Sequence, residues 1–130
     1  MRKDEAARGP QGRVIVVDSI TLLAPGDEDA IVVSGSHGGA SSGEFALALP
    51  LRLVFFNDAG VGKDDAGIAA LAMLQARGVA AAAVAHTSAR IGDAMDAWQH
   101  GVVSHANAAA RALGLRVGQS VRVASERLLG

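Results

Sequence analysis

Three short segments hold most of the side chains that could do chemistry, and each follows a run of small apolar residues. The first is "SGSHGGASSGE", Ser34 to Glu44. The second starts at Asn57 and Asp58 and continues "AGVGKDD", and the third is "HTSARIGD", His86 to Asp93. Histidine is the side chain whose unperturbed pKa lies nearest neutrality, so His37 and His86 are the candidate proton carriers. Asp58 is placed to orient one of the rings, and Lys63 could offset negative charge developing on an oxygen. These four form the expected catalytic group. Arg90 is the only guanidinium in the three segments and offers paired donors to a carboxylate. Ser36, Gly38, Gly39, Asn57, Ser88 and Asp93 complete the expected binding surface, the two glycines letting backbone N–H groups approach a substrate oxygen.

Standard motifs do not account for these segments. Gly35-Ser36-His37-Gly38 lacks the Gly-x-Ser-x-Gly spacing of a nucleophile elbow. "GVGK" is not a Walker A loop, because Asn57 stands at the first glycine position and Asp64 follows Lys63. Asp64 and Asp65 read instead as the cap and first turn of the next helix, and Asp93 reads equally well as a helix cap. No His-x-x-x-His spacing occurs, and His100 and His105 are separated by Gly101. Neither a metal nor a cofactor is expected.

What must position these residues is legible from period. "RVIVV" (13–17), "AIVVSG" (30–35), "LRLVFFN" (51–57) and "VAAAAVAH" (79–86) are continuous apolar runs, the pattern of strands buried on both faces of a parallel sheet. "SSGE" before "FALAL" fits a capping box opening a helix that Pro50 closes, and "DDAGIAALAMLQARG" fits a helix ending at Arg77 and Gly78. Residues 18–29 hold either a short helix or a chain reversal that would make the first strand antiparallel. After His86 the pattern turns helical in "GDAMDAWQ", "SHANAAARALG" and "SVRVASERLL", which places His100 and His105 in a helical cover. The expected fold is α/β: a small three-layer, mostly parallel sheet, Rossmann-like or flavodoxin-like and doubly wound, with helices on both faces and a helical C-terminal segment. Residues 1–12 read as a mobile tail and 13–130 as a single domain. In such sheets ligands bind beyond the carboxyl ends of the strands, where all three polar segments fall.

Composition narrows the classes. A formal charge of −1 with only 3% aromatic residues gives neither a basic stripe nor a stacking platform for nucleic acid. The absence of cysteine removes disulfides and thiolate chemistry. No apolar run reaches the roughly 20 residues needed to span a bilayer, and the charged start is unlike a signal peptide, so a soluble, cytoplasmic protein is expected. The number of apolar stretches exceeds what one sheet obviously covers, which suggests a homo-oligomer. The functional expectation is a small-metabolite enzyme using acid–base chemistry (hydrolysis, elimination or isomerisation) on a carboxylate- or amide-bearing substrate at the strand ends. The alternative is a non-catalytic small-anion-binding module or a subunit of a larger complex.

Overall fold

The structure is a computed structural model describing residues 1–130. Six strands form one sheet: β1 (Lys3–Gly9), β2 (Gly12–Val17), β3 (Ile31–His37), β4 (Leu53–Asn57), β5 (Ala80–Val84) and β6 (Val103–Ala106). The four inner strands are parallel to one another and both edge strands are antiparallel to their neighbours. Five helices accompany them: α1 (Ala40–Leu47), α2 (Ala69–Gln75), α3 (Ala94–His100), α4 (Ala108–Ala112) and α5 (Val121–Arg127). No helix is long and apolar enough to cross a membrane.

Alternation along the inner strands divides the core. Val14, Val16, Ile31, Val33, Leu53 and Phe55 face α3, α4 and α5, while Ile15, Val17, Val32, Val54 and Phe56 face α1, α2 and a 3₁₀ turn at Ile20–Leu22. Successive strand residues point to opposite faces, so a strand covered on both sides must be apolar throughout. The all-Ala run of β5 is buried on both faces, and its small side chains let the layers approach closely.

Four expectations are corrected. The strands lie in chain order, β1 to β6, so no reversal of strand order occurs and the sheet is not doubly wound. Right-handed crossovers between successive neighbours put α1 and α2 on one face. The chain then crosses the sheet end after β5 and lays α3 on the other face, against β2 and β3. Residues 3–9 are not a mobile tail: β1 pairs with β2 through a hairpin, and Lys3 Nζ reaches Asp27 Oδ2 at 2.8 Å and the Leu22 carbonyl at 2.9 Å. The start of "SHANAAARALG", expected to be helical, belongs instead to the edge strand β6, so His105 lies on the sheet. Finally, helix starts shift. α1 opens at Gly39 with no side-chain cap, leaving Ser41 inside the helix, and α2 opens only at Ala69. The link 18–29 holds the 3₁₀ turn, and β2 runs parallel to β3.

Candidate functional site

The carboxyl ends of β3, β4 and β5 lie side by side, because His37 registers with Asn57 and Asn57 with Val84. Backbone hydrogen bonds knit the loops that follow: Gly38 N–H to the Asn57 carbonyl (3.0 Å), Asp58 N–H to Val84 (2.8 Å) and Gly92 N–H to Gly35 (2.7 Å). Gly35 is required by closeness. A Cβ there would lie 2.6 Å from the Asp18 carbonyl oxygen and 2.8 Å from Asp93 N.

Asp58 is the hub. Its Oδ1 accepts from Gly60 N–H (2.8 Å), from His86 N–H (3.1 Å) and from the His86 ring at Nδ1 (3.0 Å). The carboxylate side chain is 7% exposed and the imidazole 55%. Burial by itself would raise the Asp58 pKa, but the N–H groups of Gly60 and His86, the Ser104 hydroxyl and the His86 ring together hold it below the ordinary carboxylate value. An ionised Asp58 only accepts, so a neutral His86 ring carries its proton on Nδ1 and presents Nε2 as an acceptor. A neutral imidazole oriented in this way can accept a proton at Nε2.

His37 is set differently. Its Nδ1 accepts the Gly39 N–H at 3.0 Å, so a neutral ring carries its proton on Nε2. The ring lines a concavity of about 420 Å³ with Gly39, Ala40, Ala59, Val61, Ala66 and Gly67. The β4 loop runs between the two histidines: Ala59 and Val61 line the concavity, and a Cβ on Gly60 would stand 3.7 Å from the His86 ring. That loop is under backbone strain. Ala59 (φ 53°), Val61 (66°), Asp64 (56°) and Asp65 (58°) are left-handed, and Gly62 N–H closes on the Gly60 carbonyl at 2.7 Å around Val61. A β-branched residue at such a φ costs on the order of 1–3 kcal/mol, and strain of this kind concentrates at functional sites.

The remaining candidates divide into loop builders and solvent-facing groups. Asn57 is buried, donating to the Ala89 carbonyl (3.0 Å) and accepting from Ala59 N–H (2.9 Å). Ser36 Oγ accepts from Ile20 N–H, and Ser88 Oγ donates to the Ala85 carbonyl while accepting from Val102 N–H. Gly38 is buried between β4 and α2. Asp93 caps α3 by accepting from Asp96 N–H. Lys63 is exposed and makes no ion pair; Asp64 and Asp65, expected as a helical first turn, are left-handed instead. Arg90, expected to anchor a carboxylate, is 80% exposed with Nη1 3.8 Å from Asp96 and 3.9 Å from Asp93, and is absent from the concavity lining. Its guanidinium faces solvent beside the two acids at the start of α3.

Two contributors escape sequence reasoning. Asp18 accepts from Ala94 N–H (3.0 Å) and Arg2 N–H (2.7 Å), tying the β2 end to the start of α3. Ser104 on β6, whose Oγ pairs with the His105 ring at Nδ1 (3.1 Å), helps to keep the Asp58 pKa low. Ser104 lies in a stretch whose local pattern is helical, so nothing in the sequence places it near Asp58. No three ligand-type side chains converge to hold a metal ion. A second concavity, about 270 Å³ between Ile20, Leu23, Pro25 and Phe45, contains no proton carrier. Compared with protein-family models, curated proteins and solved structures, the chain matches none.

Proposed function

We propose that this protein is a small-metabolite enzyme working by acid–base chemistry (hydrolysis, elimination or isomerisation) at the carboxyl ends of its parallel strands. The supporting observation is the Asp58–His86 pair. A carboxylate buried to 7% exposure accepts three N–H groups on one oxygen, one of them from a half-exposed imidazole whose other nitrogen is left free. Structural histidines seldom need an ionised partner held this firmly, whereas a general base does. Amide-bearing substrates fit better than carboxylates, because no cationic side chain lines the concavity. The same fact weighs against the non-catalytic anion-binding alternative.

In the same reading the layering is akin to Rossmann-like and flavodoxin-like sheets, without their strand order. A homo-oligomer would form through the helical face, since Val117 is 67% exposed and Val123 49%, while loop residues 118 and 119 already pair with the outer side of β6. The protein would be cytoplasmic, with a small molecule as its partner. The experiment is a thermal-stabilisation screen of small amides and carboxylates, followed by turnover assays of the hits with His86→Ala and Asp58→Asn. Both variants should lose on the order of 10²-fold or more in turnover while still binding. Parent-like turnover in both would refute the assignment.

A further inference from the structure

The two histidines present opposite chemistry on either side of one loop. His86 Nδ1 donates to Asp58, which leaves Nε2 as an acceptor. His37 Nδ1 accepts from Gly39, which leaves a neutral ring with an N–H at Nε2. Backbone and carboxylate partners thus fix which nitrogen of each ring is available, and they fix it in complementary senses. Only the second ring lines the concavity, and the walls around it are Ala40, Ala59, Val61 and Ala66.

The geometry points to a carbonyl-binding role for His37: its Nε2–H donates to the oxygen of an uncharged carbonyl group, an amide or ketone, whose small apolar body rests against Ala40, Ala59, Val61 and Ala66. This deepens the acid–base reading above and rests on it. A neutral imidazole N–H suits a carbonyl that gains negative charge during reaction, because the bond strengthens as the charge develops. A carboxylate gains less here. Neither Arg90, whose guanidinium is 80% exposed, nor Lys63 is part of the lining.

The test uses isobutyramide and isobutyrate, which match in size and differ in charge, titrated into nitrogen-15-labelled full-length protein and followed at the His37 ring and the Gly39 and Ala40 amides. Isobutyramide should give saturable shifts there, and isobutyrate should bind about tenfold more weakly, because its charge must be desolvated against an apolar wall with no cation to offset it. His37→Asn keeps an acceptor for the Gly39 N–H, as short side chains in Asx turns do, but has no donor at the Nε2 position. It should weaken isobutyramide about tenfold with the fold intact, whereas His37→Gln, which restores an N–H at that reach, should recover most of the binding. Equal or tighter binding of isobutyrate, no saturable shift with either probe, equal effects of the two variants, or a free-protein spectrum with the His37 proton on Nδ1 would each overturn the proposal. The same spectra report His86 separately. If its Nδ1–H is present in the parent and perturbed in Asp58→Asn, the Asp58–His86 pair stands even when the His37 role fails, and turnover of His86→Ala and Asp58→Asn then decides the base role.

Discussion

Replacing Asp58 by Asn should destabilise the protein in a way that depends on pH. In the native chain three N–H groups converge on Asp58 Oδ1, from Gly60 at 2.8 Å, His86 at 3.1 Å and the His86 ring at 3.0 Å. Asn offers a carbonyl oxygen of the same shape, so the bonds survive without the charge. Hydrogen bonds to a charged group contribute about 1.5–3 kcal/mol against roughly 0.5–1.5 kcal/mol for neutral ones, a difference near 1 kcal/mol per bond. The bond from the exposed His86 ring is screened and counts for less, and the amide escapes the desolvation that the buried carboxylate bears. The net loss is therefore expected at about 1–2 kcal/mol at pH 7. The Asp58 pKa is depressed in the folded state. Its contribution is complete above the unfolded value of about 3.9 and disappears as pH falls through the lower folded value. Below that point the protonated acid and the amide carry the same charge, so the gap between parent and variant should close. Urea unfolding of both proteins at pH 7 and at successive steps below about pH 3.9 measures the gap directly, and other acids cancel in the difference. A gap that does not narrow along those steps, or none at pH 7, would refute the charge-based account of Asp58.

Other outcomes follow from the packing. Ser125 is fully buried with a hydroxyl that finds no hydrogen-bond partner, so Ser125→Ala should stabilise by about 1 kcal/mol and raise the melting temperature by a few degrees in calorimetry. Gly35→Ala forces a methyl group to within 2.6 Å of the Asp18 carbonyl and 2.8 Å of Asp93 N, and should cost about 2 kcal/mol or more while shifting the Asp93 and Ala94 amide resonances. Asp27→Asn removes the 2.8 Å ion pair to Lys3, and amides of β1 should then exchange faster with solvent while those of β4 keep their protection. Faster exchange throughout the sheet would mean that β1 is not locally anchored.

The inner sheet was readable because its strands are buried on both faces. Val14 to Val17, Ile31 to Val33 and Leu53 to Phe56 must be apolar at every position, and that signal is local. The edges carry no such signal. "KDEAARG" is charged because one side of β1 meets solvent, and it is held by backbone pairing to β2, which composition does not reveal. "VSHA" precedes an Asn-capped helix and blends into its pattern, yet pairing with β5 decides its state. In the candidate site, Asn57, Asp58, His37 and His86 could be placed on one edge of the sheet because each sits at or just past the end of a buried strand. The contact between Asp58 and His86 depends on a turn back through Gly60, and the outward position of Arg90 depends on where α3 begins; neither is encoded in spacing. Strand order had no local signature at all.

That order bears on how the chain is made. A sheet whose strands stand in the sequence in which they are synthesised can grow by adding each new strand beside the last, so early pairings need only short loops to close. The two faces mature at different times. Ile15, Val32, Val54 and Phe56 receive α1 and α2 as the sheet grows, whereas Val33, Leu53 and Phe55 stay bare until α3, α4 and α5 have emerged. A nascent or truncated chain ending before Ala94 would thus display a sheet covered on one side only, the form of this protein most open to chaperone capture and to sticking to its own copies.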